Sequence, residues 1–393
     1  MDNVYILSAK RTPIGKFGKS FAAVTAPELG SEAVKGAIKA SRVVQSDIEE
    51  VIMGNVLQAG VGQNPAGQVA TLSGLSSEVT KYTVNVVCAS GMLAVEHAYR
   101  EIALGEKSLI VAGGMESMSH SPLMVPSEVR WGAKQLLNKK LEFMDSMLND
   151  GLLDAFYHEH MGISAERSAK KFEITRKEAD EYALRSFDLA HRNTEKNFYS
   201  NEIVPVSGIS KDEGIRETTF EELQKLKPAF GGNGVLTAGN SSQLSDGSSA
   251  LVIASEKYVN DNNLKPLAKI TAFESASLEP RYFVETPIPC TKKLLSRTGT
   301  KIDDYDVVEH NEAFSVASLI VQRGLGIDMD RFNVRGGAIA IGHPLGNSGS
   351  RILVTMINSM ISEKLQTGLA TICHGGGGAH TMTLEAIRST THD

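Results

Sequence analysis

Cysteine is scarce here: Cys88, Cys290 and Cys373 are the three, far apart and odd in number, which argues against a disulfide framework. No Cys-x-x-Cys and no paired histidines at ligand spacing point to a structural zinc site, so no metal is expected. Basic residues are outnumbered, leaving a formal net charge of −6 with no basic stripe; nucleic acid has no electrostatic footing on such a chain. No apolar run approaches the ~20 residues that cross a bilayer, so no membrane span is expected. No Gly-x-x-x-x-Gly-Lys-Ser/Thr pattern follows a strand, which makes nucleotide phosphate binding a weak reading. Strand-like Val4-Tyr5-Ile6-Leu7 leaves no room for a signal or transit peptide, and Thr391-His392-Asp393 carries no anchor or peroxisomal tripeptide. A reducing cytoplasm is the expected compartment.

What the chain does contain is arranged around Thr83-Val84-Asn85-Val86-Val87-Cys88-Ala89-Ser90-Gly91-Met92. A β-branched run ends on a cysteine, and small residues lead into Met92–Leu104, an apolar helix pattern. A buried strand feeding a helix through a tight turn reads this way. A thiol there sits at a helix N-terminus, where unpaired N–H groups and the macrodipole favour thiolate and are expected to lower its pKa. Taken alone, the stretch favours the plainer account of Cys88 as a small buried hydrophobe. The far end of the chain reverses that.

At 393 residues, 41% hydrophobic and 22% charged, the chain has the globular balance and length for two or three domains. From Val4 to about Ser119 short strands alternate with helices, one of them N-capped by Thr25, and predict an α/β fold with a mainly parallel, helix-covered sheet. Residues 121–244 break that rhythm with Trp131, a methionine-rich stretch near Phe143–Leu148, and charged helices over Ser164–Phe172 and Arg176–Asn193. They read as an insertion folded onto the first domain.

After Ser245 the alternation resumes and the second half loosely repeats the first. Ile48–Asn55 resembles Ile302–Asn311, and Leu109–Gly114 resembles Ala370–Gly376. The strand leading to Cys88 is echoed by Ala338-Ile339-Ala340-Ile341 leading to Gly342-His343, and its helix by Ile352–Ile361. The expected units are 1–120 (completed by about 245–267), the insertion 121–244, and 268–393. Met92–Leu104 and Ile352–Ile361 are apolar on most faces, as helices shared between two similar sheets would be. Equivalent turns would then carry Cys88 and His343 to one place.

Four elements could carry chemistry. Cys88 is the candidate nucleophile, and His343, in Gly342-His343-Pro344-Leu345-Gly346, could project an imidazole into a cleft. Cys373 is followed by His374 and Gly375–Gly378, whose backbone N–H groups could serve as oxyanion donors. Asn311-Glu312-Ala313-Phe314 puts an amide at a strand end, where α/β proteins bind ligands. Each has a plain alternative: a surface histidine, a flexible glycine loop, a helix cap.

Together these segments closely resemble the thiolase family, and its acetyl-CoA C-acetyltransferases in particular. The resemblance runs through Arg11-Thr12-Pro13-Ile14-Gly15, Gly54-Asn55-Val56-Leu57-Gln58, Val87–Met92, Ala112–Met118, His160-Met161-Gly162 and Thr237–Ser242. It continues through Asn311–Phe314, Gly336–Gly346 and Cys373–Gly377. It implies duplicated βαβαβαββ halves in five layers, α-β-α-β-α, with an inserted CoA-binding loop domain. It also implies a ping-pong Claisen condensation with CoA and acyl-CoA as substrates and no further cofactor. Cys88 would hold the acyl group, His343 would take its proton, and Cys373 would remove an α-proton from the second acetyl-CoA. Asn311 would support one oxyanion site with His343, and the N–H groups of Cys88 and Gly375 would form another. Leu152, His160, Met161 and Ser242 would lie along pantetheine, with Ala313 and Phe314 lining the pocket.

The family precedent is a homodimer or homotetramer, with Trp131 and nearby methionines as candidate outer contacts or, equally, core. A complex with a downstream acyl-CoA synthase is compatible with it, as is a catalytically weak scaffold role. A ketoacyl synthase shares the fold but lacks the second catalytic cysteine. The sequence departs from the family at Phe283-Val284, where Phe283 is expected to border the acyl pocket and favour a short acyl group. It departs also at Arg335, in the short segment Gly208–Pro228, and at His374, which is expected to alter the Cys373 thiol.

Overall fold

The computed structural model describes residues 3–132 and 141–387; the Thr391-His392-Asp393 end lies outside them. The first half contributes β1 (Val4–Arg11), β2 (Glu50–Gly54), β3 (Thr80–Val84), β4 (Leu109–Ser117) and β5 (Ser245–Ser255), side by side as β3-β2-β4-β5-β1. The second contributes β6 (Ala268–Ser277), β7 (Val307–His310), β8 (Thr367–His374) and β9 (Gly378–Ala386), in the order β6-β9-β8-β7. The orders correspond strand for strand, and a bridge from Val308 to Phe332 lies where β3 lies in the first half. The duplication read from the sequence is therefore real in space. The half-sheets are also joined edge to edge, where Tyr5 pairs with Lys269 and Ile6 with Ala268.

The sheet is mixed, not mainly parallel. Parallel pairing is confined to β3-β2-β4 and β7-β8, and the pairs β4-β5, β5-β1, β1-β6, β6-β9 and β9-β8 are antiparallel. Helical crossovers link the parallel strands, whereas β8 and β9 are joined by a short glycine turn, which permits only antiparallel neighbours.

Helices α1 (Ala26–Ser41) and α2 (Pro65–Leu72) cover the outer face of the first half-sheet. Thr25 starts α1 through a complete capping box with Glu28, which satisfies two orphan N–H groups at once. Helices α3 (Ser90–Ala103) and α8 (Leu345–Ser362) form the middle layer, packed on each other and on both half-sheets. The far layer is α6 (Pro287–Thr298), against β6 and β9. This is the five-layer α-β-α-β-α arrangement. One apolar cluster unites Met92, Val95, Ile102, Leu353, Met356 and Ile357 with Ile110, Ile253, Ile372 and Met382 of the two half-sheets.

The middle segment packs mainly on the second half rather than the first. Its helices α4 (Met161–Lys171) and α5 (Arg176–Glu195) bury Met161, Ala165, Tyr182 and Phe187 against α7 (Ser315–Leu325) and Phe332. Buried Glu312 explains part of that choice: Tyr182 Oη donates to its carboxylate at 3.0 Å and Ser186 Oγ at 2.6 Å. Trp131 is 72% and Phe143 65% exposed, so neither belongs to the core. Among the described residues no helix is long and apolar enough to cross a membrane.

The N-terminal ends of α3 and α8 touch backbone to backbone. A Cβ on Gly349 would stand 2.6 Å from Met92 N, and one on Gly91 2.8 Å from Ser350 N. Cys88 precedes one of these ends and His343 the other. Gly349→Ala is therefore expected to cost about 1–3 kcal/mol by overpacking, read as a lower urea midpoint with unchanged m. An unchanged midpoint would mean that the two ends can separate freely.

Candidate active site

Strand β3 stops at Val84, three residues short of the sequence expectation, because the chain turns sharply there. Val87 has φ 53°, a left-handed conformation that a β-branched residue adopts only under constraint. The constraint is visible: Asn85 Oδ1 accepts the Val87 N–H at 2.9 Å, and Ser90 Oγ accepts the Val86 N–H at 2.9 Å and donates to Val87 O at 2.6 Å. The elbow presents Cys88 at the mouth of α3.

The thiol's expected acidity is not found. Burial pushes Cys88 up to about 12, and N–H groups of Gly375 and of Cys88 itself offset only part of that. Enclosure disfavours thiolate more than two backbone donors favour it. Cys373, on β8, is pushed above the ordinary thiol range by burial and then by its neighbour Cys88. His374 takes no part in that shift. The two thiols thus come from different halves of the chain, lie near enough for Cys88 to raise Cys373, and both favour the protonated form.

His343 follows a short helical turn, Ala338–Ile341, not a strand; four apolar residues fit either periodicity. Its backbone N–H donates to Gln243 O at 3.0 Å. Ser348 Oγ donates to Pro344 O at 2.9 Å and lies 2.6 Å from His343 Nδ1. With its one proton committed, the hydroxyl must accept from Nδ1–H, which leaves Nε2 the unprotonated, accepting nitrogen. Burial, then the charge of Arg351, holds the imidazole down to about 3. Asn311 Nδ2 stands 3.4 Å from Nε2, and Asn311 Oδ1 has no hydrogen-bond partner among the described residues.

Cys88, His343 and Gly375 line one small cavity of about 50 Å³. Leu152, His160, Met161, Ser242, Phe283, Ala313 and Phe314 line it too. Cys373 and Asn311 stand behind this lining, against Cys88 and His343. His160 Nδ1 accepts the Gly162 N–H at 3.0 Å, so the neutral ring carries its proton on Nε2, as a donor. The ring stacks 4.8 Å from Phe230, which meets Phe314 edge-on at 5.8 Å. Arg335 is elsewhere: it donates to Asn193 Oδ1 at 2.8 Å and lies 4.1 Å over the Phe198 ring.

Sequence reasoning missed Gly151 and Leu345, which complete the lining, and the positioning groups Ser348 and Glu116. Fully buried Glu116 accepts N–H groups of Val56 and Leu57, each at 3.1 Å, and of Gly346 at 2.8 Å. It ties the start of α8 to the first half, and burial raises its carboxyl to about 7. Glu116 lay within a quoted motif, but only its buried position reveals the role.

Residues 4–257 match the model of the thiolase N-terminal domain and residues 264–386 that of the thiolase C-terminal domain. The chain is 42% identical over 389 residues to a probable acetyl-CoA acyltransferase of Staphylococcus aureus (strain COL), covering 96% of this chain and 98% of the relative. It is 42% identical over 396 residues to an acetyl-CoA acetyltransferase of a Synechocystis species, covering 98% and 100%. The crystal structure of Acat5 thiolase from Ascaris suum in complex with coenzyme A superposes with a TM-score of 0.93 at 39% identity, over 98% of this chain and 100% of that one. That of the Bacillus anthracis acetyl-CoA acetyltransferase gives 0.95 at 37%, over 98% and 99%. Two half-sheets about a shared helix pair, a cysteine elbow, a second cysteine on a glycine turn and these full-length likenesses agree: the chain belongs to the thiolase family.

Proposed function

We propose that the protein is an acetyl-CoA C-acetyltransferase, which reversibly joins two acetyl-CoA into acetoacetyl-CoA and CoA. One arrangement carries the reading: Cys88, a neutral His343 imidazole and Gly375 line one cavity, and Cys373 of the other half lies near enough to Cys88 to be raised by it. In the first half-reaction Cys88 Sγ attacks the thioester carbonyl while His343 Nε2 takes its proton. The N–H groups of Cys88 and Gly375 hold the developing oxyanion; one such donor is worth about 3 kcal/mol. The tetrahedral intermediate expels CoA, which leaves with the proton from His343, and Cys88 keeps the acetyl group as a thioester.

In the second half-reaction His343 Nε2, vacated when CoA leaves with its proton, takes the proton of the Cys373 thiol, and the thiolate removes an α-proton from the next acetyl-CoA. The enolate oxygen accepts from His343 Nε2–H, which carries the Cys373 proton, and from a water on Asn311, whose buried Oδ1 has acceptor capacity to spare. The carbanion attacks acetyl-Cys88 and forms the new carbon–carbon bond, and Cys88 leaves, taking the proton from His343 Nε2 and restoring the resting site. Two cysteines are needed because one is occupied covalently while the other moves a proton.

Leu152, His160, Met161 and Ser242 bring the segment 121–244 to the cavity, which supports its role in holding the pantetheine arm. Phe283, only 3% exposed, closes the acyl end and favours a short chain. Exposed Trp131 suits an outer contact of a homodimer or homotetramer. A reducing cytoplasm suits thiols that must stay free, as all three cysteines are.

Cys88→Ser is expected to abolish the acetyl adduct seen by intact mass after incubation with acetyl-CoA. Cys373→Ser should still acquire the adduct yet release no acetoacetyl-CoA. If both variants condense, the assigned roles are wrong.

The resting charges make a second prediction. His343 gains a proton only as pH falls toward its lowered value of about 3, and Cys88 loses one only toward about 12. Both groups are therefore competent between about pH 5 and 9, and the Cys88 acetylation rate should be level there. A rise centred near the ordinary thiol value of about 8.5 would show instead a freely titrating Cys88.

A further inference from the structure

His374 follows Cys373 on β8, and strand alternation turns its side chain to the opposite face, toward α3. The ring is not idle there. Nδ1 lies 2.7 Å from Gly375 O; a carbonyl can only accept, so Nδ1 carries the proton and donates. Nε2 fills space that a Cβ on Gly378 would need, 2.0 Å away. The ring stands 5.6 Å from that of His380. His380 Nδ1 is 2.8 Å from Glu96 Oε1, and Glu96 is a fully buried residue of α3, the helix that follows Cys88. On the other side, a Cβ on Gly375 would stand 3.5 Å from the Val87 side chain of the strained elbow.

Neither His374, His380 nor Glu96 lines the cavity, and no step of the proposed reaction uses them. Yet His374 bonds the residue whose N–H reaches Cys88. That residue opens a run of four glycines, Gly375–Gly378, which by itself has little preference for one backbone conformation.

We propose that His374 is a positioning residue: its Nδ1–H bond to the Gly375 carbonyl, braced through His380 and Glu96 on α3, fixes the Gly375 N–H at the Cys88 sulfur and so sets the oxyanion site for acyl transfer. This rests on the oxyanion role given to Gly375 above. The clamp couples the turn of one half to the nucleophile helix of the other. Geometry at such a site is held within fractions of an ångström, and small displacements are costly in rate.

Three variants test it. His374→Leu keeps the bulk and removes the donor; His374→Asn keeps an amide donor near the place of Nδ1; Gly375→Pro deletes the N–H itself. The readout is the single-turnover rate of Cys88 acetylation by acetyl-CoA, with KM and thermal midpoint measured alongside. His374→Leu should acetylate about tenfold to a hundredfold more slowly with little change in KM, and His374→Asn should recover most of the rate. Equal loss in both variants, or no loss in His374→Leu, overturns the clamp. Should His374→Leu not fold, His374→Gln, with its amide one methylene too far, takes its place and should be slower than His374→Asn; equal rates there overturn the clamp as well. A Gly375→Pro at the unaltered rate removes the oxyanion reading itself. A crippled Gly375→Pro beside an unaltered His374→Leu removes the clamp alone.

Discussion

The contact between the starts of α3 and α8 is the constraint on which the site depends. Glycine at 91 and 349 lets two helix backbones meet where any side chain would force them apart. Each helix follows a sharp turn, and each turn carries one of the two groups proposed to react, Cys88 and His343. Their meeting turns an internal duplication into a single site with unlike halves. Glu116 reinforces it by bonding loop residues 56 and 57 and the Gly346 N–H with one carboxylate. A buried carboxylate is costly to leave unpaired and effective when paired.

Burial decides the electrostatics. The same enclosure that raises both thiols lowers His343, so the resting site holds neutral groups and no thiolate–imidazolium pair. In the proposed reaction, proton transfer therefore accompanies carbon–sulfur bond formation instead of preceding it. Ser348 contributes by fixing which imidazole nitrogen is free. An enclosed site also strengthens each backbone donor aimed at the developing oxyanion.

Much of this was legible in the chain. The paired strand–turn–helix units showed the duplication, and apolar helices at 92–104 and 352–361 announced a layer buried on both sides. Residues named from motifs, Cys88, His343, Gly375, Phe283 and Phe314 among them, do line one cavity. What was hidden is long-range or conformational. Ala338–Ile341 fits a strand or a helix until packing decides. A valine at positive φ has no sequence signature, since local propensity argues against it. The β8-β9 pair is antiparallel because a short glycine turn joins the two strands, and the docking of α4 and α5 on the second half follows from the buried partners of Glu312. Cys88 acidity was misjudged because a helix terminus is visible in sequence and the depth of enclosure is not.

The central claim is spatial: two sulfurs, separated by most of the chain, face one small ligand. A short bis-electrophile such as dibromoacetone tests it directly, with peptide mapping by mass spectrometry after digestion. A single bridging group joining the Cys88 and Cys373 peptides is the expected product, and prior acetylation of Cys88 should block it. Separate alkylation of the two cysteines, with no bridged peptide, would contradict a shared site.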